Sequence, residues 1–384
     1  MPETMAVNEA DTDPLSLPDL LRSSILSAAD EAKSLGRLPV DLVEQLRKAG
    51  AFRLLTPREY GGFETSLATA LRVYEMFGRI DTSVGWNIWN HNFGYIAAFL
   101  DEAGANRVWA ETREPIFANC SHPMGRAVEV PGGYRLSGRW KMVSGIDEAD
   151  WLVAPGIVED GEPARRTGNE PEFRLLLVPR EQVVVHDTWN VNGMRASGSK
   201  DIEVDDAYVP SDLAWGAQNR TRFDRPLFHV FGVHLVVPGC TAVLLGTAQS
   251  AIDELVALAP NKKTQGGGTL AGRAHTQMEV ARSETALHAA RELLLRIAAD
   301  FDLTAAQRGK ATLRQQAALR AAQSHAASVS RAVLTAMHEL GSSDSIYLGS
   351  RLERLVRDGL VAAQHANHSA RHFEEAGRVR LGQA

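Results

Sequence analysis

The stretch from Trp189 to Pro210, WNVNGMRASGSKDIEVDDAYVP, constrains the fold more than any other part of this chain. Gly193 and Gly198 permit positive φ and close backbone approach, and Ser197 and Ser199 place short hydroxyls on either side of the second glycine. Asp201–Val209 then alternates as a strand, which Pro210 ends. Few soluble enzymes run a glycine-punctuated turn straight into a strand in this way.

Size and composition bound what surrounds that turn. At 384 residues with 44% hydrophobic content, the chain exceeds what one core serves, and two or three subdomains sharing an interface are expected. A net charge of −6 argues against nucleic acid as a partner. Cys120 and Cys240 are the only cysteines, too few for a disulfide framework or a cysteine metal site, which suits a reducing cytoplasm. The first residues, MPETMAVNEADTDP, are acidic and polar where a signal peptide is basic and then apolar. No uninterrupted apolar run reaches the roughly 18 residues of a membrane span, so no membrane partner is expected.

The pattern changes twice along the chain. Residues 15–114 carry apolar positions at three-and-four spacing, which predicts an N-terminal helical domain; Asp41 stands near a helix start after Pro39, and Gly50 stops that helix. Residues 115–225 turn β-like, with turns at Pro131-Gly132-Gly133 and Asp160-Gly161 and strands expected at Tyr134–Trp140, Trp151–Val158, Phe173–Val178 and Ile202–Val209. This middle domain is expected to be a small barrel or sandwich, closed by a polar loop at Ala217–Arg225. Residues 226–384 return to helix over Cys240–Ala259, Ala274–Phe301, Lys310–Leu340 and Ser350–Ala376, with breaks at Gly266-Gly267-Gly268 and Gly341-Ser342-Ser343. The fold class is α+β, ending in a four-helix bundle.

The pattern Trp189-x-x-x-Gly193-x-Arg195-x-Ser197-x-Ser199 resembles the middle β-domain of the acyl-CoA dehydrogenase superfamily, where it lies against a flavin. The α, β, four-helix order is similar to that fold over nearly the whole chain. A dehydrogenase of this kind takes an α-proton from a thioester and needs a Glu base, placed in the loop before the last helix or on the first helix of the bundle. At those places the chain carries Gln364-His365-Ala366-Asn367-His368 and His234-Leu235-Val236-Val237-Pro238-Gly239. Arg357, Asp358, Gln364 and His365 instead resemble the oxygenase components of two-component flavin monooxygenases, of the 4-hydroxyphenylacetate hydroxylase and dibenzothiophene monooxygenase type. That resemblance implies reduced FMN or FAD from a separate flavin reductase, O2 as co-substrate, a C4a-(hydro)peroxyflavin, and hydroxylation or N-oxygenation of a small aromatic substrate. A flavoenzyme acting on an acyl thioester with a non-standard base is the alternative.

The same resemblance implies roles for individual residues. His365 faces flavin and substrate and transfers a proton, as an imidazole titrating at about 6.5 is suited to do. Ser144, in Trp140-x-x-x-Ser144-Gly145, reaches the flavin N5 edge. Asn119 and Ser121, both expected on the first strand, meet the pyrimidine ring, with Cys120 between them turned to the other face, buried and inert. Ser199 and Trp189 contact the flavin, Trp189 by stacking. Trp86, Asn90 and His91 lie on an aromatic-rich helix that lines the substrate pocket, and His91 is a further catalytic candidate; Trp86 and Trp89 are three apart and share a face. Arg273 and Gln277 match an Arg-x-x-x-Gln pattern in which the arginine crosses to a neighbouring subunit's flavin phosphate, which implies a homotetramer. Read without the resemblance, Ser144 is a turn serine, His91 a hydrogen-bonded core histidine, and Trp189 core packing. His368 is expected on the surface.

Other chemistries lack their residues. Gly266-Gly267-Gly268 has neither the Gly-Lys-Ser/Thr ending nor the strand of a phosphate-binding loop, and reads as a flexible link. His365 and His368 can share a helical face, but no third metal ligand is evident, so no metal is expected. A scaffold that binds no flavin is the remaining non-enzymatic reading.

Overall fold

The computed structural model describes residues 13–383 other than 112–113, 123, 160–165, 168–169, 217–218 and 230–237. The Asp160-Gly161 turn, the start of the polar loop at Ala217 and the His234–Val237 stretch lie outside the described residues.

Among the described residues five α-helices come first: α1 (Leu17–Leu35), α2 (Val40–Ala49), α3 (Leu67–Ile80), α4 (Thr82–His91) and α5 (Glu102–Glu111). α2 starts after Pro39 and stops at Gly50, which takes φ 84 and turns its N–H back onto the Arg47 and Leu46 carbonyls. α4 starts at Asp81, whose side chain accepts the Val84 N–H at 3.0 Å. All ten residues of α4 are buried, so its polar side chains must find partners inside the protein.

Ten strands follow among the described residues: β1 (Phe117–Asn119), β2 (Gly125–Val130), β3 (Gly133–Val143), β4 (Trp151–Glu159), β5 (Arg166–Thr167), β6 (Glu170–Pro171), β7 (Phe173–Pro179), β8 (Val184–His186), β9 (Lys200–Pro210) and β10 (Ala214–Trp215). The middle domain takes the form of one eight-stranded sheet in the order β10-β7-β4-β2-β3-β9-β8, with β1 parallel to the first half of β4 and β2 parallel to its second half. β5 and β6 pair separately. β3 and β9 are antiparallel, and their register shifts between Trp140 and Val143. There Met142 takes φ 55 and points to solvent, a bulge that ends the ladder just before Ser144. Trp140 is fully buried against Gly125 and Gly138, where an added Cβ would stand 2.7 and 2.6 Å from its ring.

The C-terminal part holds the one-turn α6 (Pro226–His229), then α7 (Gly239–Leu258), α8 (Ala274–Ala306), α9 (Leu313–Gly341), α10 (Arg351–Ala362) and α11 (Arg371–Arg380). α7 to α10 pack on one another as the expected bundle. α3 crosses α7 at backbone contact, since a Cβ on Gly246 would lie 2.0 Å from the Glu75 carbonyl oxygen and one on Gly78 2.4 Å from that of Val243. α7 is long and apolar enough to cross a membrane by length and composition, yet 67% of that stretch is buried, as in a core helix.

The helix expected over Ser350–Ala376 is two helices. α10 ends at Ala362, and a turn carrying the short 3-10 helix Ala366–His368 separates it from α11. The break is held from α9: Arg331 Nη1 donates to the Ala363 carbonyl at 2.9 Å and Ser324 Oγ to that of Ser369 at 2.7 Å. These side chains satisfy carbonyls left free at the helix end.

Candidate active site

α4 joins the three parts of the molecule through side chains that leave it in different directions. Asn87 Nδ2 donates to the Ala196 carbonyl in the glycine-rich turn at 3.3 Å. Asn90 Nδ2 donates to the Ser144 carbonyl at 2.8 Å, and His91 Nδ1 pairs with the Phe117 carbonyl on β1 at 2.8 Å. A fully buried helix can carry these groups only because each meets a backbone partner on the sheet side.

On this platform the β3 bulge sets Ser144. Its hydroxyl accepts the Trp86 indole N–H at 3.1 Å and shares a 2.8 Å hydrogen bond with Ser199, which in turn pairs with Ser197 at 2.7 Å. Asn119, the last residue of β1, donates through Nδ2 to both the backbone oxygen of Asn90 at 2.9 Å and its side-chain oxygen at 3.0 Å. Ser144, Ser199, Asn90, Asn119 and Trp86 therefore form one hydrogen-bonded group spanning sheet and helix.

From the other side, the turn after α10 brings His365 to the same tryptophan. Its ring packs edge-on to Trp86 at 5.4 Å and Trp89 at 5.7 Å, and the two indoles pack edge-on to each other at 4.9 Å. Gly239 makes room for Trp89, because a Cβ there would stand 2.1 Å from the indole. Burial lowers the His365 pKa to about 4, so the ring is neutral at pH 7. Behind it lie Cys240, with Sγ 3.9 Å from His365 Nδ1 and 3.7 Å from His368 Nε2, and Thr241, with Oγ1 3.1 Å from the same His368 nitrogen.

The glycine-rich turn is anchored on α10 by the Arg357-Asp358 pair. Asp358 Oδ1 accepts the Met194 N–H at 2.7 Å, Arg357 Nη1 donates to the Asn192 carbonyl, and a Cβ on Gly193 would lie 2.6 Å from the Arg357 carbonyl oxygen. Close approach is thus the role of Gly193. Positive φ falls on Gly198 at 52°, as the sequence predicts, and on Met194 at 53° in place of Gly193.

Several expected positions differ. His91 does not line a pocket with Trp86: five residues at about 100° each carry it about 140° round the helix, and its fully buried ring faces Phe52, Phe117 and Gly145. It supports the turn after Ser144 from behind. Ser121 is not on the first strand; β1 ends at Asn119 and Ser121 is exposed. Cys120 also follows β1 and is half-buried, its Sγ 3.6 Å from the Val153 carbonyl and its pKa pushed well up by burial. Trp189 is half-buried and donates its indole N–H to the Met194 carbonyl at 3.2 Å, closing its own loop. Arg273 and Gln277 are exposed and bond to nearby backbone, Arg273 to Gln265 at 2.7 Å and Gln277 to Ala271 at 2.9 Å, apart from the Ser144 group. His368, expected on the surface, is buried because the turn folds it onto α7.

The donor set suits a flavin. Hydroxyls and a primary amide lie beside two indoles, matching a flat apolar ring system bordered by N–H and C=O groups. Known proteins agree. Residues 16–110 match the acyl-CoA dehydrogenase N-terminal domain family and residues 239–370 the acyl-CoA dehydrogenase C-terminal domain family. Indole-3-acetate monooxygenase of Pseudomonas putida is 30% identical over 348 residues, covering 89% of this chain and 87% of the relative. The oxygenase component of an FADH2-dependent resorcinol hydroxylase from a Rhizobium species is 28% identical, covering 90% and 87%. The fold is that of XiaF from a Streptomyces species, solved with FADH2 and glycerol: TM-score 0.89, 24% identity, 96% of this chain and 95% of that one covered. The chain belongs to the acyl-CoA dehydrogenase superfamily, among the members that serve as oxygenase components of flavin-dependent monooxygenases.

Proposed function

We propose that the protein is the oxygenase component of a two-component system, taking reduced FMN or FAD from a separate reductase and transferring one oxygen atom from O2 to a small aromatic substrate. The observation that carries this reading is Trp86, which binds the Ser144 hydroxyl through its indole N–H and packs edge-on against His365. The titratable group brought to Trp86 is an imidazole, where thioester dehydrogenation requires a carboxylate base. Named relatives that act on indole-3-acetate and resorcinol support an aromatic substrate.

When bound, the reduced flavin supplies the electrons for O2 activation. Ser144, with Ser199 behind it, would hold the N5 edge; the serine hydroxyls can rotate, so Ser144 can donate or accept as that edge requires. Asn119, fixed by Asn90, would hold the pyrimidine edge. Trp86 and Trp89 give a flat substrate an aromatic wall and keep water out of the reacting region. His365 handles the proton at the oxygen being transferred. His91 and Asp358 position the two backbone segments on which this set rests. Arg273 and Gln277 would reach a neighbouring subunit's flavin phosphate in a homotetramer, a role supported by their exposed start on α8.

Paired alanine variants test the site. His365→Ala should leave reduced-flavin binding nearly intact and lower product formation by roughly 10²–10⁴, the usual effect of an acid–base group. Ser144→Ala should act earlier, consuming O2 at a normal rate but releasing hydrogen peroxide in place of product. Wild-type coupling in both variants would remove the pair from the mechanism.

A further inference from the structure

We infer that Asn119 meets the flavin through its side-chain oxygen alone, as the acceptor of the pyrimidine N3–H, because Asn90 locks its amide in that sense. The inference rests on the proposed function and names the cofactor atom that Asn119 reads. An asparagine amide offers an acceptor oxygen on one side and an NH2 group on the other, and its partners decide which side is which.

The chain of partners starts at a backbone carbonyl. The Ser144 carbonyl only accepts, so the Asn90 amide atom 2.8 Å from it is Nδ2, and Asn90 Oδ1 is thereby turned toward Asn119. Asn119 in turn faces two oxygens of Asn90, the backbone carbonyl at 2.9 Å and that Oδ1 at 3.0 Å, and neither has a proton to give. The atom it sets against them is therefore Nδ2, whose two protons serve one oxygen each. Turning the amide over would set an oxygen against two oxygens and forfeit both hydrogen bonds. The donor side of Asn119 is spent in this way. Its Oδ1 has no hydrogen-bond partner among the described residues, and the half-buried side chain does not close it off from solvent, so a ligand can reach it. Along the pyrimidine edge of a flavin the groups run C2=O, N3–H, C4=O. Only the middle one donates, so an acceptor matches N3–H alone. That proton is present in oxidised and reduced flavin alike, and Asn119 therefore orients the ring in both states, whereas the edge at Ser144 changes with reduction.

Titration of the wild-type protein with FMN and with FAD, each against its N3-methyl derivative, tests this in both redox states. The N3-methyl flavins should bind roughly tenfold more weakly, the effect of one lost hydrogen bond; equal affinity would overturn the inference. Asn119→Ala removes the acceptor and makes room for the methyl group, so the difference should vanish there. A difference that persists in Asn119→Ala would assign the N3 contact to another group and overturn the inference as well. Flavin labelled with ¹⁵N at N3 gives a second reading on the bound complex: its N3–H proton should be protected from exchange in wild type and lose that protection in Asn119→Ala, and equal protection in both would count against Asn119. Flavin bound in neither redox state would overturn the proposed function and this inference with it, whereas flavin bound with no sensitivity to the N3-methyl group would overturn this inference alone.

Discussion

Ser144 is two residues past an exposed Met142, and only the bulge between them turns a strand end into a site. The next residue, Gly145, shows how closely that turn is backed. A Cβ there would lie 2.4 Å from His91 Nε2 and 3.3 Å from Glu148 Oε2. Glu148 accepts the Leu38 N–H through Oε1 at 2.9 Å, while its Oε2 is buried without a hydrogen bond in the described structure. Burial, helped by neighbouring Asp147, raises the Glu148 pKa to about 7, whereas burial lowers that of His91 to about 4. The signs are opposite. The native state binds the Glu148 proton more tightly than the unfolded chain, so this contribution to stability is full below about pH 4.5 and is lost as pH rises through about 7. His91 contributes above about pH 6.5 and its contribution is lost as pH falls through about 4. Glu148→Gln keeps an acceptor for Leu38 and removes one titration. Its thermal midpoint should therefore stop falling between about pH 5 and 8, leaving it more stable than wild type at pH 8 by about 3 kcal/mol, one pKa unit being worth about 1.4. Coincident stability profiles for the two proteins would show that Glu148 ionises in the fold without cost.

At the scale of elements, the turn between α10 and α11 decides where His365 stands. Arg331→Ala leaves the Ala363 carbonyl without its charged donor and should cost about 1.5–3 kcal/mol in denaturant unfolding, the range for hydrogen bonds to charged groups. Amide exchange over residues 363–369 should rise more than in α9 itself; unchanged protection there would mean the turn is held by something other than Arg331. Local signals in the sequence were strong where local chemistry sets the structure. Gly50 ends α2, Asp201–Val209 alternates into β9, and Gly266-Gly267-Gly268 all take positive φ in the link before α8. The segment 364–369 has neither glycine nor proline, so its pattern continues the helix; Arg331 and Ser324, distant in sequence, end it. His368 and Cys240 were unreadable for the same reason, since only that turn brings them together. His91 fell one helical step from the Trp86 face, a rotation that residue types alone do not resolve. The start of α9 was legible in part: Thr312 and Gln315 form a reciprocal cap, two residues after the expected start at Lys310.

Over the whole molecule, three regions meet at α4, and the site exists only where they meet. The sheet supplies Ser144 and Asn119, α4 supplies Trp86 and Asn90, and the C-terminal turn supplies His365. The glycine crossing of α3 on α7 fixes α4's region against the bundle without touching the site. The proposed homotetramer would extend the same logic to a neighbouring subunit, because Arg273 and Gln277 bond within their own chain only to nearby backbone, at Gln265 and Ala271. Arg273→Ala should weaken reduced-flavin binding while changing unfolding stability by no more than about 0.5 kcal/mol, as expected of an exposed side chain. An active monomer by light scattering, or undiminished flavin affinity, would contradict the intersubunit role. The central claim, that this architecture serves oxygen transfer from reduced flavin, is tested most directly by anaerobic titration with reduced and oxidised flavin, followed by isotopically labelled O2 and a panel of small phenols and indoles. The account predicts tighter binding of the reduced form and a product bearing one labelled oxygen atom. Oxidised flavin held tightly and reduced by an acyl-CoA, with no label transferred from O2, would contradict it.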